Sequence, residues 1–268
     1  MYDFELKTPK TLQEAVAALQ SDDAQALGGG QTLLPTMKQR LAMSEQLVAL
    51  SGVDEIKGVC IDDDGRVCIG GATTHATVAR ECAASYPALA SLAGRIGDPA
   101  VRNRGTIGGS LANNDPSACY PAGALASNAT IVATGAGGPR EIAADDYFQG
   151  MFTTALEEGE LISEVKFPVP EKAAYEKFLQ PASRFPLVAA FVAKFSDGVR
   201  VAITGASSDG VFRWTEAEAA LSDTFSPDAI KTLAVPDPAS MISDLHGDSG
   251  YRAHLVKVMT ARAVQAAH

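Results

Sequence analysis

The sequence has few basic residues, and this limits the partners that the chain can have. Lysine and arginine together number 22, against 32 aspartate and glutamate residues, which gives a net charge of −10. A chain this acidic repels the phosphates of nucleic acids and anionic membranes, so we expect neither as a partner. It also lacks an apolar run of the ~20 residues that a bilayer requires, and no secretory signal follows Met1. We therefore expect a cytoplasmic protein without membrane insertion.

Cysteine and histidine are scarce and poorly placed for metal binding. The four cysteines, Cys60, Cys68, Cys82 and Cys119, form no Cys-x-x-Cys pair, and the four histidines lack metal-ligand spacing. The sequence therefore predicts no zinc or iron–sulfur site on this chain. No nucleophile–base pair and no pair of carboxylates stand out, so no catalytic residue is predicted.

Two glycine-rich segments are the most distinctive stretches present. Residues 28–34 contain three consecutive glycines, and residues 97–118 form a longer loop that includes Gly105, Gly108 and Gly109. Glycine takes positive φ and has no Cβ, so the backbone can turn sharply, approach a ligand and present N–H groups to an anion. A plain surface loop is the alternative. Neither segment has the dinucleotide or phosphate-loop order of residues, and together they favour one extended phosphate-bearing ligand held from two sides.

The pattern of apolar residues predicts three successive units of mixed helix and strand. Two alternating runs flank the Asp-rich turn at 62–65, which predicts a hairpin. Thr73 or Thr74 is then expected to cap a helix that runs to Tyr86. A proline-rich linker precedes the last unit. The predicted units are 1–52, 53–168 and 171–268.

Several motifs together resemble one family. They are Gly-Gly-Gln-Thr-Leu-Leu-Pro at 29–35, Thr-Thr-His-Ala at 73–76, Ile-Gly-Asp-Pro-Ala-Val-Arg-Asn-Arg-Gly-Thr-Ile-Gly-Gly-Ser-Leu at 96–111, Phe-Thr-Thr-Ala-Leu-Glu at 152–157 and Pro-Ala-Ser-Arg-Phe at 181–185. In these residues the chain resembles the FAD-binding medium subunit of molybdenum hydroxylases, that is, the carbon monoxide dehydrogenase medium-subunit family with its xanthine dehydrogenase-like FAD domain.

The resemblance implies a fold of the α+β class. Two α/β subdomains would form a PCMH-type FAD-binding fold, similar to that of vanillyl-alcohol oxidase. A C-terminal α+β domain of the carbon monoxide dehydrogenase flavoprotein type would cover one side of the cofactor. FAD would lie across the first two units, with its diphosphate on the main-chain N–H groups of residues 29–32.

The resemblance also implies which residues contact FAD. They come from the two glycine segments, from the stretch that follows the second one, and from the flavin side of the cofactor. The predicted cofactor-binding residues are Leu27, Gly28, Gly29, Gly30, Gln31, Thr32, Leu33, Leu34, Ile96, Thr106, Ile107, Gly108, Gly109, Ser110, Asn113, Asp115, Cys119, Ile162 and Gln180.

One position departs from the family pattern. Relatives commonly read Asp-Pro-Ala-Ala-Asp, and the second Asp approaches the ribityl or adenosine part of FAD. This chain ends the same stretch in a thiol, Cys119, after beginning it with Asp115. The resemblance therefore leaves Cys119 as either a weaker contact or a packing residue, with Asp115 taking part of the role.

The implied function is electron transfer within a larger enzyme. The chain would be the FAD subunit of a heterotrimeric molybdenum hydroxylase, passing electrons from [2Fe–2S] clusters through FAD to an external acceptor. The clusters would belong to a small subunit and the molybdopterin cofactor to a large one, in a dimer of heterotrimers. The substrate and the acceptor stay open, because the substrate site would lie on another chain.

Two functions of other classes remain as alternatives. A stand-alone FAD-dependent oxidoreductase of the same fold would need a substrate pocket and a proton-handling residue over the flavin. A non-catalytic scaffold that binds a nucleotide would be marked by loss of the glycine segments, and both segments are intact.

Overall fold

The computed structural model describes all residues, 1–268, and contains three main sheets that follow one another along the chain. The first sheet is parallel, with the strand order β1-β3-β2. Thr11 and Glu14 form a capping box at the start of its first helix. The elements of this unit are β1 (Glu5–Lys7), α1 (Leu12–Ala18), β2 (Ala24–Leu27), α2 (Leu33–Lys38) and β3 (Gln46–Ala49).

The second sheet is antiparallel and has five strands in the order β4-β5-β10-β6-β7. The long crossover between β5 and β6 carries five helices, and the short strands β8 and β9 pair only with each other. The elements are β4 (Val59–Ile61), β5 (Val67–Gly70), α3 (His75–Glu81), α4 (Pro87–Gly94), α5 (Pro99–Arg102), α6 (Ile107–Asn113), α7 (Tyr120–Ala126), β6 (Thr130–Gly135), β7 (Gly138–Ala143), α8 (Ala144–Tyr147), β8 (Phe148–Gly150), β9 (Thr153–Thr154) and β10 (Leu161–Phe167).

The third sheet is antiparallel, with four strands in sequence order. Helices that follow it in the chain cover one face, and helices of the second unit pack on the other. One of its two inner strands, Pro186–Phe195, is buried almost throughout, which fits its run of Val, Ala and Phe. The elements are β11 (Lys172–Leu179), β12 (Pro186–Phe195), β13 (Gly198–Thr204), β14 (Phe212–Arg213), α9 (Thr215–Asp223), α10 (Pro227–Lys231) and α11 (Ser249–Ala266). No helix of the chain combines the length and the apolar character that crossing a membrane would take.

The second and third sheets share the largest core of the molecule. Tyr86 lies at its centre, with its ring edge-on to Phe167 of the second sheet and to Phe191 of the third, at centroid distances of 6.4 and 6.2 Å. Its hydroxyl pairs with that of Ser127 at 2.7 Å, so the one polar atom of the ring is satisfied within the core. The predicted unit boundaries fall between the three sheets, and the division into domains stays a prediction.

Local structure differs from the sequence predictions at two places that bear on the site. The helix capped by Thr74 ends at Glu81, because Tyr86 and Pro87 begin a new helix, α4. The second glycine segment was expected to be a loop, but Thr106 is a helix N-cap, and α6 begins at the next residue. Gly108 and Gly109 therefore belong to the first turn of a helix, and Gly105 precedes its N-cap.

Arg252 fixes the long C-terminal helix to the third sheet. Only 2 % of the residue is exposed. Its guanidinium donates to the main-chain oxygens of Leu187 and Gly205, at 2.7 and 2.8 Å, and to the carboxylate of Asp244 at 2.7 Å. The side chain thus donates to two main-chain carbonyl groups inside the fold.

We expect Arg252→Met to lower the free energy of unfolding by about 2–3 kcal/mol, because it leaves two buried acceptors without a donor. Arg262 lies exposed on the same helix, so Arg262→Met is the matched control and should change stability by less than about 0.5 kcal/mol. Denaturant unfolding of both variants measures the difference. Equal stability of the two variants would contradict the role of Arg252.

Candidate functional site

A cavity of about 730 Å³ lies where the three units meet. This volume is in the range of small-molecule and cofactor sites. Its wall contains every residue that the sequence predicted to contact the cofactor, except Leu34, Ile107 and Gln180. The predicted residues that line it are Leu27, Gly28, Gly29, Gly30, Gln31, Thr32, Leu33, Ile96, Thr106, Gly108, Gly109, Ser110, Asn113, Asp115, Cys119 and Ile162.

The first glycine segment presents unused hydrogen-bond donors to this cavity. The main-chain N–H groups of Gly29, Gly30, Gln31 and Thr32 donate to no other atom of the protein. Gly30 has a φ of +68°, a value that glycine adopts without strain, and this turns the chain between β2 and α2. Four consecutive free donors on a cavity wall form a concave site that suits an anion.

The second glycine segment forms cavity wall but offers no main-chain N–H group to a ligand. The N–H groups of Ile107 and Gly108 bond to the oxygens of Thr73 and Gly71, and that of Gly109 bonds to the Thr106 hydroxyl. These bonds leave no donor in the first turn of α6 for a ligand. The Ser110 hydroxyl is not used within the protein and lines the cavity.

Glycine is needed in both segments because they lie directly against other main chain. A Cβ added at Gly29 would lie 2.0 Å from the oxygen of Arg104, and one at Gly108 would lie 2.6 Å from the oxygen of Gly71. The sequence allowed two reasons for glycine at 105, 108 and 109, positive φ and the lack of a Cβ, and none of the three has positive φ. What requires glycine there is close approach of main chain, not a left-handed turn.

A buried lysine closes the cavity on the side of the third sheet. Lys177 is only 6 % exposed, and its ammonium donates to the oxygens of Arg95 and Arg184 at 2.6 and 2.9 Å. No carboxylate lies within ion-pair distance, and burial lowers the pKa of this ammonium group. Sequence reasoning missed Lys177. Side chains alternate between the two faces of a strand, so a lysine two residues after the buried Tyr175 in β11 also points inward.

Cys119 lies beside this lysine. Its sulfur is 3.7 Å from the Lys177 ammonium, and the thiol is 5 % exposed on the cavity wall. The position where the resemblance implies a carboxylate therefore faces a buried cation here. Asp115 also lines the cavity, and one of its oxygens accepts the N–H of Ser117 at 2.8 Å.

Two arginines at the edge of the second glycine segment have structural contacts. Arg102 donates to the oxygens of Ile96 and Gly97, at 3.0 and 2.9 Å, so it braces the turn that carries Ile96 into the cavity. Arg184, in the turn between β11 and β12, donates to the same Gly97 oxygen at 3.4 Å. The turn of the third unit is thus tied to the second unit at the edge of the cavity.

His75 is a buried histidine behind the second glycine segment. It is the first residue of α3 and lines the cavity. Its Nε2 would lie 2.5 Å from a Cβ added at Gly105. Burial, with a smaller contribution from Arg102, lowers its pKa to about 4. The ring is therefore neutral at pH 7, which suits a packing role.

The three predicted residues outside the cavity have other surroundings. Ile107 is fully buried in the core, and Leu34 packs over Gly30. Gln180 forms main-chain bonds within the turn to Phe185 and Arg184. Among cavity residues that sequence reasoning did not select are Phe152 and Leu156, which come from the family motif at 152–157 and add apolar wall.

Comparison with known proteins identifies the family. Residues 2–170 match the model of the FAD binding domain in molybdopterin dehydrogenase. The chain belongs to this family. It is 33% identical to the carbon monoxide dehydrogenase medium chain of Hydrogenophaga pseudoflava, over 98% of this chain and 96% of that one. It is also 33% identical to the glyceraldehyde dehydrogenase medium chain of Sulfolobus acidocaldarius, over 97% of each chain.

The fold agrees with the same family. The chain superposes on the crystal structure of a Cu,Mo-CO dehydrogenase in its cyanide-inactivated form with a TM-score of 0.89 and 32% identity, covering 98% of this chain and 96% of that one. The predictions of the family, the α+β fold, the oxidoreductase class and an FAD cofactor are therefore confirmed. The individual contact residues stay predictions.

The cavity fits FAD by its own chemistry. Free N–H groups on the first glycine segment suit a diphosphate, since neutral donors stabilise an anion without a paired cation. The second segment has few side chains on this wall, so a cofactor can lie close to its main chain. The apolar residues Ile96, Ile162 and Phe185 provide surface for a flat ring system at other parts of the wall.

We expect Gly29→Ala to reduce FAD binding by at least about tenfold, or ~1.4 kcal/mol, because its Cβ would overlap the Arg104 oxygen and force the two segments apart. Gly137→Ala is the control, since a Cβ there meets no atom within 4 Å. The FAD-to-protein ratio after purification and a fluorescence titration of the apoprotein both measure the effect. Unchanged FAD affinity in the Gly29 variant would show that the contact is dispensable.

Because His75 is buried as a neutral ring, we expect the free energy of unfolding to fall in mild acid. The unfolded chain protonates this ring near its ordinary pKa of 6.5, whereas the folded chain does so only near 4, so its contribution is complete above 6.5 and lost as pH falls towards 4. We expect about 2 kcal/mol of this loss between pH 6.5 and 5. Denaturant unfolding at both pH values should show that His75→Asn removes this part of the slope. Replacement of the exposed His254 by Asn should leave the slope as in the wild type.

Proposed function

We propose that this chain holds FAD between the [2Fe–2S] clusters of a partner subunit and an external electron acceptor. The observation that carries the proposal is the row of four free N–H groups on the wall of a cavity large enough for a dinucleotide, in a chain of this family. FAD supplies the redox chemistry, accepting electrons from one carrier and releasing them to another, while the protein binds and orients it.

Each part of the cavity has a separate task in this proposal. The N–H groups of residues 29–32 bind the diphosphate, and the Ser110 hydroxyl supplies a further donor. Lys177, Arg184 and Phe185 bring the third unit over the isoalloxazine end. Because Lys177 is a cation without a carboxylate partner, it favours negative charge on whatever lies beside it.

The proposed holoenzyme contains two further kinds of subunit. A large subunit carries the molybdopterin cofactor and the substrate site, and a small subunit carries the [2Fe–2S] clusters, in a cytoplasmic dimer of heterotrimers. The two relatives that are equally identical to this chain are named for different substrates, carbon monoxide and glyceraldehyde. This supports a substrate choice made outside the FAD subunit.

Within this chain we propose the units 1–52 and 53–168 as the two FAD-binding subdomains and 171–268 as the C-terminal flavoprotein domain. The family match, which ends at residue 170, supports the second boundary.

When FAD is absent from the purified holoenzyme, we expect substrate oxidation to continue for a single turnover and steady-state turnover to stop. In a complex assembled with the Gly29→Ala chain, substrate should still reduce the [2Fe–2S] clusters in a single turnover. Steady-state reduction of the natural acceptor should fall in proportion to the lost FAD, because the path out is interrupted.

Stopped-flow absorbance of the clusters and steady-state assays measure these two steps. A complex assembled with the Gly137→Ala chain is the control and should behave as the wild type in both. Full turnover by a complex that lacks this chain would contradict the proposed role, as would oxidation of substrate by this chain alone.

A further inference from the structure

Two cysteines and a glutamate meet on the second sheet, away from the cavity. Cys60 on β4 and Cys68 on β5 are directly opposite each other in the antiparallel ladder. Glu164 of the next strand, β10, lies beside them, and the two sulfur atoms and a carboxylate oxygen all lie within 4.8 Å of one another. The Asp62 carboxylate is 3.5 Å from the Cys68 sulfur, so a second carboxylate borders the cluster.

This cluster is on the outer face of the sheet. The strands β5 and β10 send Val67, Ile69, Val165 and Phe167 into the main core. Alternate residues of a strand point to opposite faces, so Cys68 and Glu164 point outward. The sheet itself therefore separates the cluster from the FAD cavity. Cys60 is exposed and Cys68 is 3 % exposed, which gives the site one accessible and one sheltered thiol.

The ladder geometry is poorly suited to a disulfide between these two cysteines. Gly70 N–H bonds to the Gly58 oxygen, and Asp62 N–H bonds to the Arg66 oxygen, so the residue pairs two positions away on either side are hydrogen-bonded pairs. Because the two kinds of pair alternate, Cys60 and Cys68 form a hydrogen-bonded pair as well. The Cβ atoms of such a pair are about 5.5 Å apart, and a disulfide needs about 3.5–4.5 Å.

A metal ion bridges this wider spacing better than a bond between the sulfur atoms. Zinc binds thiolate at about 2.3 Å and carboxylate at about 2.0–2.2 Å, in tetrahedral geometry, so two bridged sulfurs are roughly 3.8 Å apart. The two sulfurs already lie within 4.8 Å of each other, so a shift of at most about 1 Å brings them to that distance. We propose that Cys60, Cys68 and Glu164 form a binding site for a thiophilic divalent cation such as Zn²⁺, with water as the fourth ligand.

The charges around the cluster fit a bound cation. The carboxylates of Glu164 and Asp62 place negative charge beside the Cys68 sulfur, and a divalent cation is stabilised by such a field. Lys166 is paired mainly with Glu141, at 2.6 Å, and is 3.8 Å from Glu164. The Glu164 carboxylate is therefore loosely held, and Lys166 offsets the excess negative charge of two thiolates and a carboxylate on one divalent ion.

Cadmium titration of the reduced, chelator-treated full chain tests this site, with Cd²⁺ as the probe. We expect a thiolate-to-cadmium charge-transfer band in the ultraviolet that saturates at one Cd²⁺ per chain. Cys60→Ser should abolish it, and because Cys60 is exposed this variant should fold. Glu164→Gln should keep a thiolate-to-cadmium band, but its affinity for Cd²⁺ should fall by about 10–100-fold, the range known for supporting groups of metal sites.

Cys82→Ala is the control, because Cys82 is fully buried in the main core and should not affect the titration. Zn²⁺ should raise the melting temperature of the wild type and of the Cys82 variant, but not that of Cys60→Ser. The absence of a band in the wild type, a band that persists in Cys60→Ser, or formation of a Cys60–Cys68 disulfide in place of metal binding would overturn the proposal. FAD content, measured by flavin absorbance, should be equal in all variants, so this outcome is independent of the proposed electron-transfer role.

Discussion

Main chain packs directly on main chain where Gly29 meets Arg104 and Gly105, and the shape of the cavity depends on this contact. Any side chain at position 29 would push apart two segments that come from different units. The contact holds the row of free N–H groups on one segment opposite the smooth helical wall of the other. The N–H groups at the start of α6 already donate to Gly71, Thr73 and Thr106, so the main-chain donors for an anion all come from the first segment.

Charge in the cavity is arranged with the same asymmetry. Neutral donors face the proposed diphosphate, whereas the buried cation, Lys177, sits on the side of the third sheet with main-chain oxygens and a thiol as its neighbours. Main-chain oxygens stabilise an ammonium group without neutralising it. An occupant that carries negative charge at this end is therefore favoured over a neutral one.

The sequence reveals those parts of the site whose residues are neighbours in the chain. The segments at 28–33 and 106–110 could be found because glycines, hydroxyls and motif order lie side by side. Lys177 and His75 were not selected as cofactor contacts, because their position at the cavity depends on how strands and helices from distant segments pack. The sequence offered positive φ and the lack of a Cβ as reasons for the glycines, and only the packed structure shows that Gly108 lies against the main chain of Gly71.

The proposed metal site and the FAD cavity are linked by an irregularity in one strand. Residues 162 and 164 would share a face in a regular strand, since side chains alternate with a period of two. The register of β10 against β6 shifts between Ile162 and Glu164, and a bulge of this kind re-aims the side chains on either side of it. Ile162 can therefore line the cavity while Glu164 points outward to Cys60 and Cys68. A sequence search for Cys-x-x-Cys pairs misses these thiols, because the hairpin register, not their spacing in the chain, brings them together.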